Sequence, residues 1–158
     1  MAKKSKIVTL TSLIPTVERQ EVRADFLAGR TAALAGKTEA RDMYAGRLGN
    51  WALMNGLVAA AGFVAAGVNA YVGNKTGSDV YTGAAGFDTV VGVLQTCSVY
   101  TQLYLRHQLL KMEPNQSFVP PAETPPEHAS LAEKAGTYIT FGLFGTTLGI
   151  AADGLTDL

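Results

Sequence analysis

LGNWALMNGLVAAAGFVAAGVNAYVG, residues 48–73, is the stretch on which the reading of this chain turns. With Asn74 it makes 27 consecutive residues between Arg47 and Lys75 without a formal charge. A helix needs about 20 apolar residues to cross the roughly 30 Å of bilayer hydrocarbon. Two further stretches have the same character: residues 80–105 carry only Asp88 as a charge, and residues 135–152 carry none. Three such runs in 158 residues predict a small integral membrane protein of all-α class. The expected architecture is a helical hairpin plus a third short transmembrane helix, with a charged N-terminal helical arm and a Pro-rich connector.

Composition agrees with polar ends around an embedded middle. Charged residues make up 16% of the chain, below the usual quarter, while mean hydropathy is +0.15. The length leaves room for one domain. Thirteen basic and thirteen acidic side chains cancel, which removes the electrostatic case for a nucleic-acid partner. A lone Cys97 excludes an internal disulfide and a Cys-based zinc site, and it lies inside the second apolar run, where it reads as a small buried hydrophobe.

Five segments follow along the chain. Residues 1–16 form a basic leader, with Lys3, Lys4 and Lys6 ahead of a hydroxyl-rich interval free of acids until Glu18. No small-residue cleavage site follows its apolar stretch. The leader fits organelle import slightly better than a cytoplasmic tail on anionic lipid. Residues 17–49 are Ala-rich with mixed charges and no proline, the pattern of an amphipathic helical arm. Within them Leu27-Ala-Gly-Arg-Thr-Ala-Ala33 is followed at once by Leu34-Ala-Gly-Lys-Thr-Glu-Ala40, a local heptad repeat too short for a coiled coil.

Residues 50–105 are the expected transmembrane hairpin. Its first half carries small residues at i+4 spacing, in the rows Ala52, Gly56, Ala60 and Gly62, Ala66, Ala70, which allow helix backbones to approach closely in lipid. Trp51 and Tyr71 stand near its ends, at headgroup level. Gly73-Asn-Lys-Thr-Gly-Ser-Asp79 is the turn that makes the pair antiparallel. Residues 106–134 hold an interfacial end and a connector with five of the six prolines, and residues 135–158 hold the third helix and a short tail. Arg41 and Arg47 before the first run, with Arg106 and Lys111 after the second, put the N-terminus and the connector on the positive-inside face. The C-terminus is then opposite.

Asp88 is the most informative single residue, because a carboxylate inside a membrane helix normally faces protein or water. Gln95 and Gln102 follow at successive heptad positions, so the three share one helical stripe, with Gly92 and Thr96 beside them. This stripe is read as packing on a neighbouring helix, ahead of a proton or ion path, and Asn55 and Asn69 are candidate partners in the hairpin. Gly145-xxx-Gly149 in the third run is a formal close-pairing motif. The helix-packing residues are therefore Asp88, Gln95, Gln102, Gly92, Gly56, Ala60, Gly145 and Gly149.

No catalytic set, cofactor or metal ligand is expected. Ala35-Gly36-Lys37-Thr38 resembles the end of a phosphate-binding loop, but the required upstream glycine is Thr31. His107 and His128 are far apart and lack a carboxylate pattern. The expected function is that of a non-catalytic accessory subunit of a multi-subunit membrane complex, of respiratory, energy-transducing type. The mitochondrial inner membrane is placed ahead of a bacterial or viral one. Other membrane subunits and the lipid bilayer are its expected partners. A self-assembling pilin, pore-former or lipid-enclosing coat protein is the alternative, and a small proton- or ion-conducting subunit using Asp88 is the third.

Overall fold

Alanine-rich segments without internal proline favour helix throughout, and the described residues, 16–119 and 131–156 of this computed structural model, are all-helical with no strand among them. Four helices follow in order: α1 (Thr16–Leu34), α2 (Thr38–Thr76), α3 (Asp79–Leu110) and α4 (Leu131–Thr156). The leader before Thr16 and most of the Pro-rich connector lie outside the described residues.

The repeated Leu-Ala-Gly triplet takes two different conformations. At residues 27–29 it is helical, with Gly29 against Leu109 and Tyr44. At residues 34–36 it ends α1, because Gly36 adopts φ 73°. Lys37 N–H then donates to Ala32 O at 2.9 Å and Gly36 N–H to Ala33 O at 3.0 Å, the paired bonds of a Schellman cap. The charged segment is therefore not one continuous arm. It doubles back at residues 35–37, and its second half runs without a break into the first apolar stretch, so the expected boundary at residue 49 falls inside α2.

α2 has 39 residues, roughly 58 Å of helix, about twice the hydrocarbon thickness. It is the one helix among the described residues that is long and apolar enough to cross a membrane. It turns into α3 at Gly77, whose φ of 68° and N–H bond to Gly73 O at 2.9 Å close the helix, with Ser78 extended before Asp79. The reversal is tighter than the seven-residue loop read from sequence.

The α2–α3 seam is built on a heptad period. On α2 the buried positions include Ala45, Leu48, Ala52, Asn55, Ala59, Gly62, Ala66, Asn69 and Gly73, alternating steps of three and four. On α3 they include Ala84, Asp88, Val91, Gln95, Ser98, Gln102, Leu105 and Leu109, in the same alternation. This is the period of coiled-coil packing. The i+4 rows read from sequence drift off such a seam: Ala52 is buried, Gly56 half-buried and Ala60 exposed. A step of four overshoots a 3.6-residue turn, so a third member has rotated away from a partner that a 3.5 repeat keeps facing.

Small residues set how close the helices come. A Cβ on Gly62 would lie 3.1 Å from Asp88 O and 3.3 Å from Gly92 N, so the two backbones touch at this crossing. α4 packs along both, antiparallel to α3. Gly154 sits against Val72 and Tyr81 beside the α2–α3 turn, and Thr147 lies level with Asn69 and Asp88.

At the other end α1 lies back along the charged part of α2. Val22, Phe26 and Ala33 of α1 bury with Ala45, Leu48, Leu105 and Leu109 in an apolar cluster flanked by Tyr44, Trp51 and Met112. Asp25 is buried there, and its Oδ1 accepts an ion-paired hydrogen bond from Arg47 at 3.0 Å. Asn115 N–H donates to Leu34 O at 2.9 Å, tying the segment after α3 to the α1–α2 turn.

Candidate functional site: a polar seam inside the bundle

The heptad stripe of α3 points inward. Asp88 and Gln102 are fully buried and Gln95 nearly so, as are Asn69 and Asn55 on α2. Asn69 Nδ2 donates to Asp88 Oδ2 at 2.9 Å, and Asn55 Nδ2 donates to Gln102 Oε1 at 3.2 Å. Both asparagines thus meet the stripe, at two levels about four helical turns apart. Gln95 lies between them, with its Oε1 buried and without a hydrogen-bond partner among the described residues.

α4 closes the upper level. Thr147 Oγ1 donates to Asp88 Oδ1 at 2.5 Å, and Asn69 Nδ2 also reaches Thr147 O at 3.3 Å. One carboxylate therefore joins three helices through two donors. Among the described residues no basic side chain pairs with it, since the two ion pairs are Arg41–Asp42 and Arg47–Asp25. A hydrogen bond to a charged group contributes about 1.5–3 kcal/mol, while an unpaired buried polar group costs about 1–3 kcal/mol. Two such bonds offset much of the cost of burying the carboxyl between the helices.

The hydroxyls of the seam bury without needing a neighbour. Buried Ser98 and Thr101 each donate to the carbonyl four residues back, at 2.9–3.2 Å, as do Thr89 and Thr96, at 2.8 Å, on the exposed side of α3. Around this polar interior the surface is apolar. Leu53, Met54, Leu57 and Val64 of α2, and Val90, Val93, Leu94, Tyr100 and Leu103 of α3, are all exposed, with Val64 at 69%. The exposed faces of helices in water-soluble bundles are instead predominantly polar.

The remaining residues of the sequence reading fall in three kinds of place. Gly92 is buried beneath the Phe63 ring. Gly56 faces Val99 at 3.9 Å without tight contact. Gly145 and Gly149 are exposed, and a Cβ on either would meet nothing within 4 Å. Among the described residues nothing packs on the close-pairing motif of α4, because α4 docks through Phe144, Thr147, Ala151 and Gly154 on the opposite side.

Thr147 is the one contributor to the Asp88 level that sequence reasoning missed. One Thr among several on an apolar helix gives no warning until α4 is set in register. The Asp25–Arg47 pair was likewise hidden among mixed charges. Burial raises the Asp25 carboxyl above its ordinary 3.8, against the opposing pull of Arg47, with Glu21 adding to the rise and a hydrogen bond from Trp51 reducing it. Among the described residues no three His, Cys, Asp or Glu gather as a metal centre. His107 is exposed at the end of α3, and Cys97 is half-buried and free. His128 lies outside the described residues.

Comparison with protein-family models, with curated proteins and with solved structures returns no match.

Proposed function

We propose that the chain is a non-catalytic structural subunit of a larger membrane assembly, with α2, α3 and α4 crossing the bilayer and α1 folded against the protruding ends of α2 and α3. The observation that carries this reading is a polar seam beneath an apolar exterior: Asn55, Asn69, Asp88 and Gln102 inside, and Leu53, Val64, Val90 and Tyr100 outside. In water such a surface would be an aggregation liability, whereas in hydrocarbon it is the stable arrangement. Arg41, Arg47, Arg106 and Lys111 at the α1 end, against Lys75 at the other, support the α1 end as the positive-inside face. The basic, acid-free leader supports the mitochondrial inner membrane as the location, and a respiratory-type complex there is the assembly proposed.

The exposed glycine face of α4 supports a protein neighbour over lipid on that side, since close packing is what glycine permits there. Native mass measurement after mild detergent extraction tests the reading. The expected result is one copy of this chain in a discrete complex with different subunits. A homopolymer would move the function to self-assembly. A folded monomer in plain buffer would remove the membrane premise altogether.

A further inference from the structure

We propose that the side chains around Asp88 form a binding site for a monovalent cation of sodium size, held between α2, α3 and α4. The inference goes beyond a structural role, and it holds whether the bundle stands alone or within an assembly.

The first observation is electrostatic. Asp88 is fully buried and no basic side chain pairs with it among the described residues, so only neutral groups surround a carboxyl in the bundle interior. A buried anion in low-polarity surroundings is stabilised by positive charge at the same place. The second is the donor set. Asp88 Oδ2 and the Thr147 main-chain carbonyl both lie within hydrogen-bonding distance of the Asn69 amide, and the Thr147 hydroxyl bridges back to Asp88 Oδ1, so four oxygens from α3 and α4 gather around one side chain of α2. Carboxylate, amide, carbonyl and hydroxyl oxygens are ligands of hard cations and poor ligands of zinc or copper.

The third observation is the orientation of the Asn69 amide. Its Nδ2 stands between Asp88 Oδ2 at 2.9 Å and Thr147 O at 3.3 Å, a partial positive charge where two oxygens converge. Its Oδ1 is buried and has no partner among the described residues. Half a turn of the amide would bring Oδ1 to the same oxygens, an arrangement that repels unless a cation sits among them. Cation binding thus gives the orphaned oxygen its partner and the carboxylate its counter-charge in one step. A single carboxylate balances one positive charge, which favours a monovalent over a divalent ion.

The test is the thermal unfolding midpoint of the full chain in mild detergent, with sodium chloride replacing choline chloride at constant ionic strength. Choline is too large to enter a closed three-helix seam. The midpoint is expected to rise saturably with sodium, and Asp88→Asn, which keeps the shape and removes the charge, is expected to abolish the rise. Thr147→Val is expected to raise the half-saturating sodium concentration about tenfold or more. It carries the test should Asp88→Asn fail to fold, together with the sodium NMR linewidth of the wild-type protein. Identical wild-type midpoints in sodium and choline, or an unchanged sodium response in either variant, would overturn the site. Folding without detergent would instead count against the membrane reading and leave this titration interpretable.

Discussion

Asp25 shows how one buried acid controls an element. It sits in the α1 docking cluster with one oxygen on Arg47 and the other, Oδ2, buried without a hydrogen-bond partner among the described residues. Its carboxyl is raised above 3.8, chiefly by burial, so the folded state holds the proton more tightly than the unfolded chain. Stability from this group is then fully present below about 3.8 and is lost as pH rises through the raised value. Amide hydrogen exchange of α1 followed against pH should show protection falling across that window, and Asp25→Asn should flatten the curve. Protection that rises with pH would contradict the burial argument. Asp88 was visible in the sequence as a charge where none belonged, and Asn55 and Asn69 as polar residues in an apolar run. Their pairing was not, because it depends on the register in which α2 meets α3.

At the scale of the element, glycines of identical chemistry divide by what lies opposite them. Gly62 faces backbone across the α2–α3 crossing, where a Cβ would be 3.1 Å from Asp88 O. Gly149 faces open space. Gly62→Ala is expected to destabilise the isolated chain by about 1–3 kcal/mol, because backbone cannot move aside as a flexible side chain would. Gly149→Ala is expected to stabilise it by up to about 1 kcal/mol, through helix propensity alone. Unfolding of both variants in detergent decides the matter, and equal effects would refute the assigned packing faces. The sequence rows at i+4 pointed to small-residue packing in α2 and met the seam at Ala52, Gly62 and Ala66, but ran off it at Gly56, Ala60 and Ala70. The true seam runs at 3.5 residues through Ala, Gly, Asn, Asp and Gln, so apolar periodicity, the usual guide to a buried face, is nearly absent.

For the whole molecule, the register of α4 fixes which ends lie together. The α2–α3 turn at residues 77–78 and the C-terminal end of α4 share one end, through the contacts of Gly154 with Val72 and Tyr81. The α1–α2 turn and residues 111–119 share the other, through Asn115 and Leu34. Protease added outside sealed native vesicles should therefore cut one set and spare the other, with fragments read by mass. Cleavage of both sets in intact vesicles would refute a spanning bundle.

Chain chemistry by itself determined the helical class, the charge-free middle and the polar stripe of α3, because these depend on residue type and local spacing. It could not determine that the charged arm folds back at Gly36, since the same Leu-Ala-Gly triplet is helical seven residues earlier. Nor could it bring Thr147 to Asp88 or leave the α4 glycines facing outward. Those were decided by tertiary packing, where helix register and the closeness allowed at Gly62 and Gly92 select which polar groups meet.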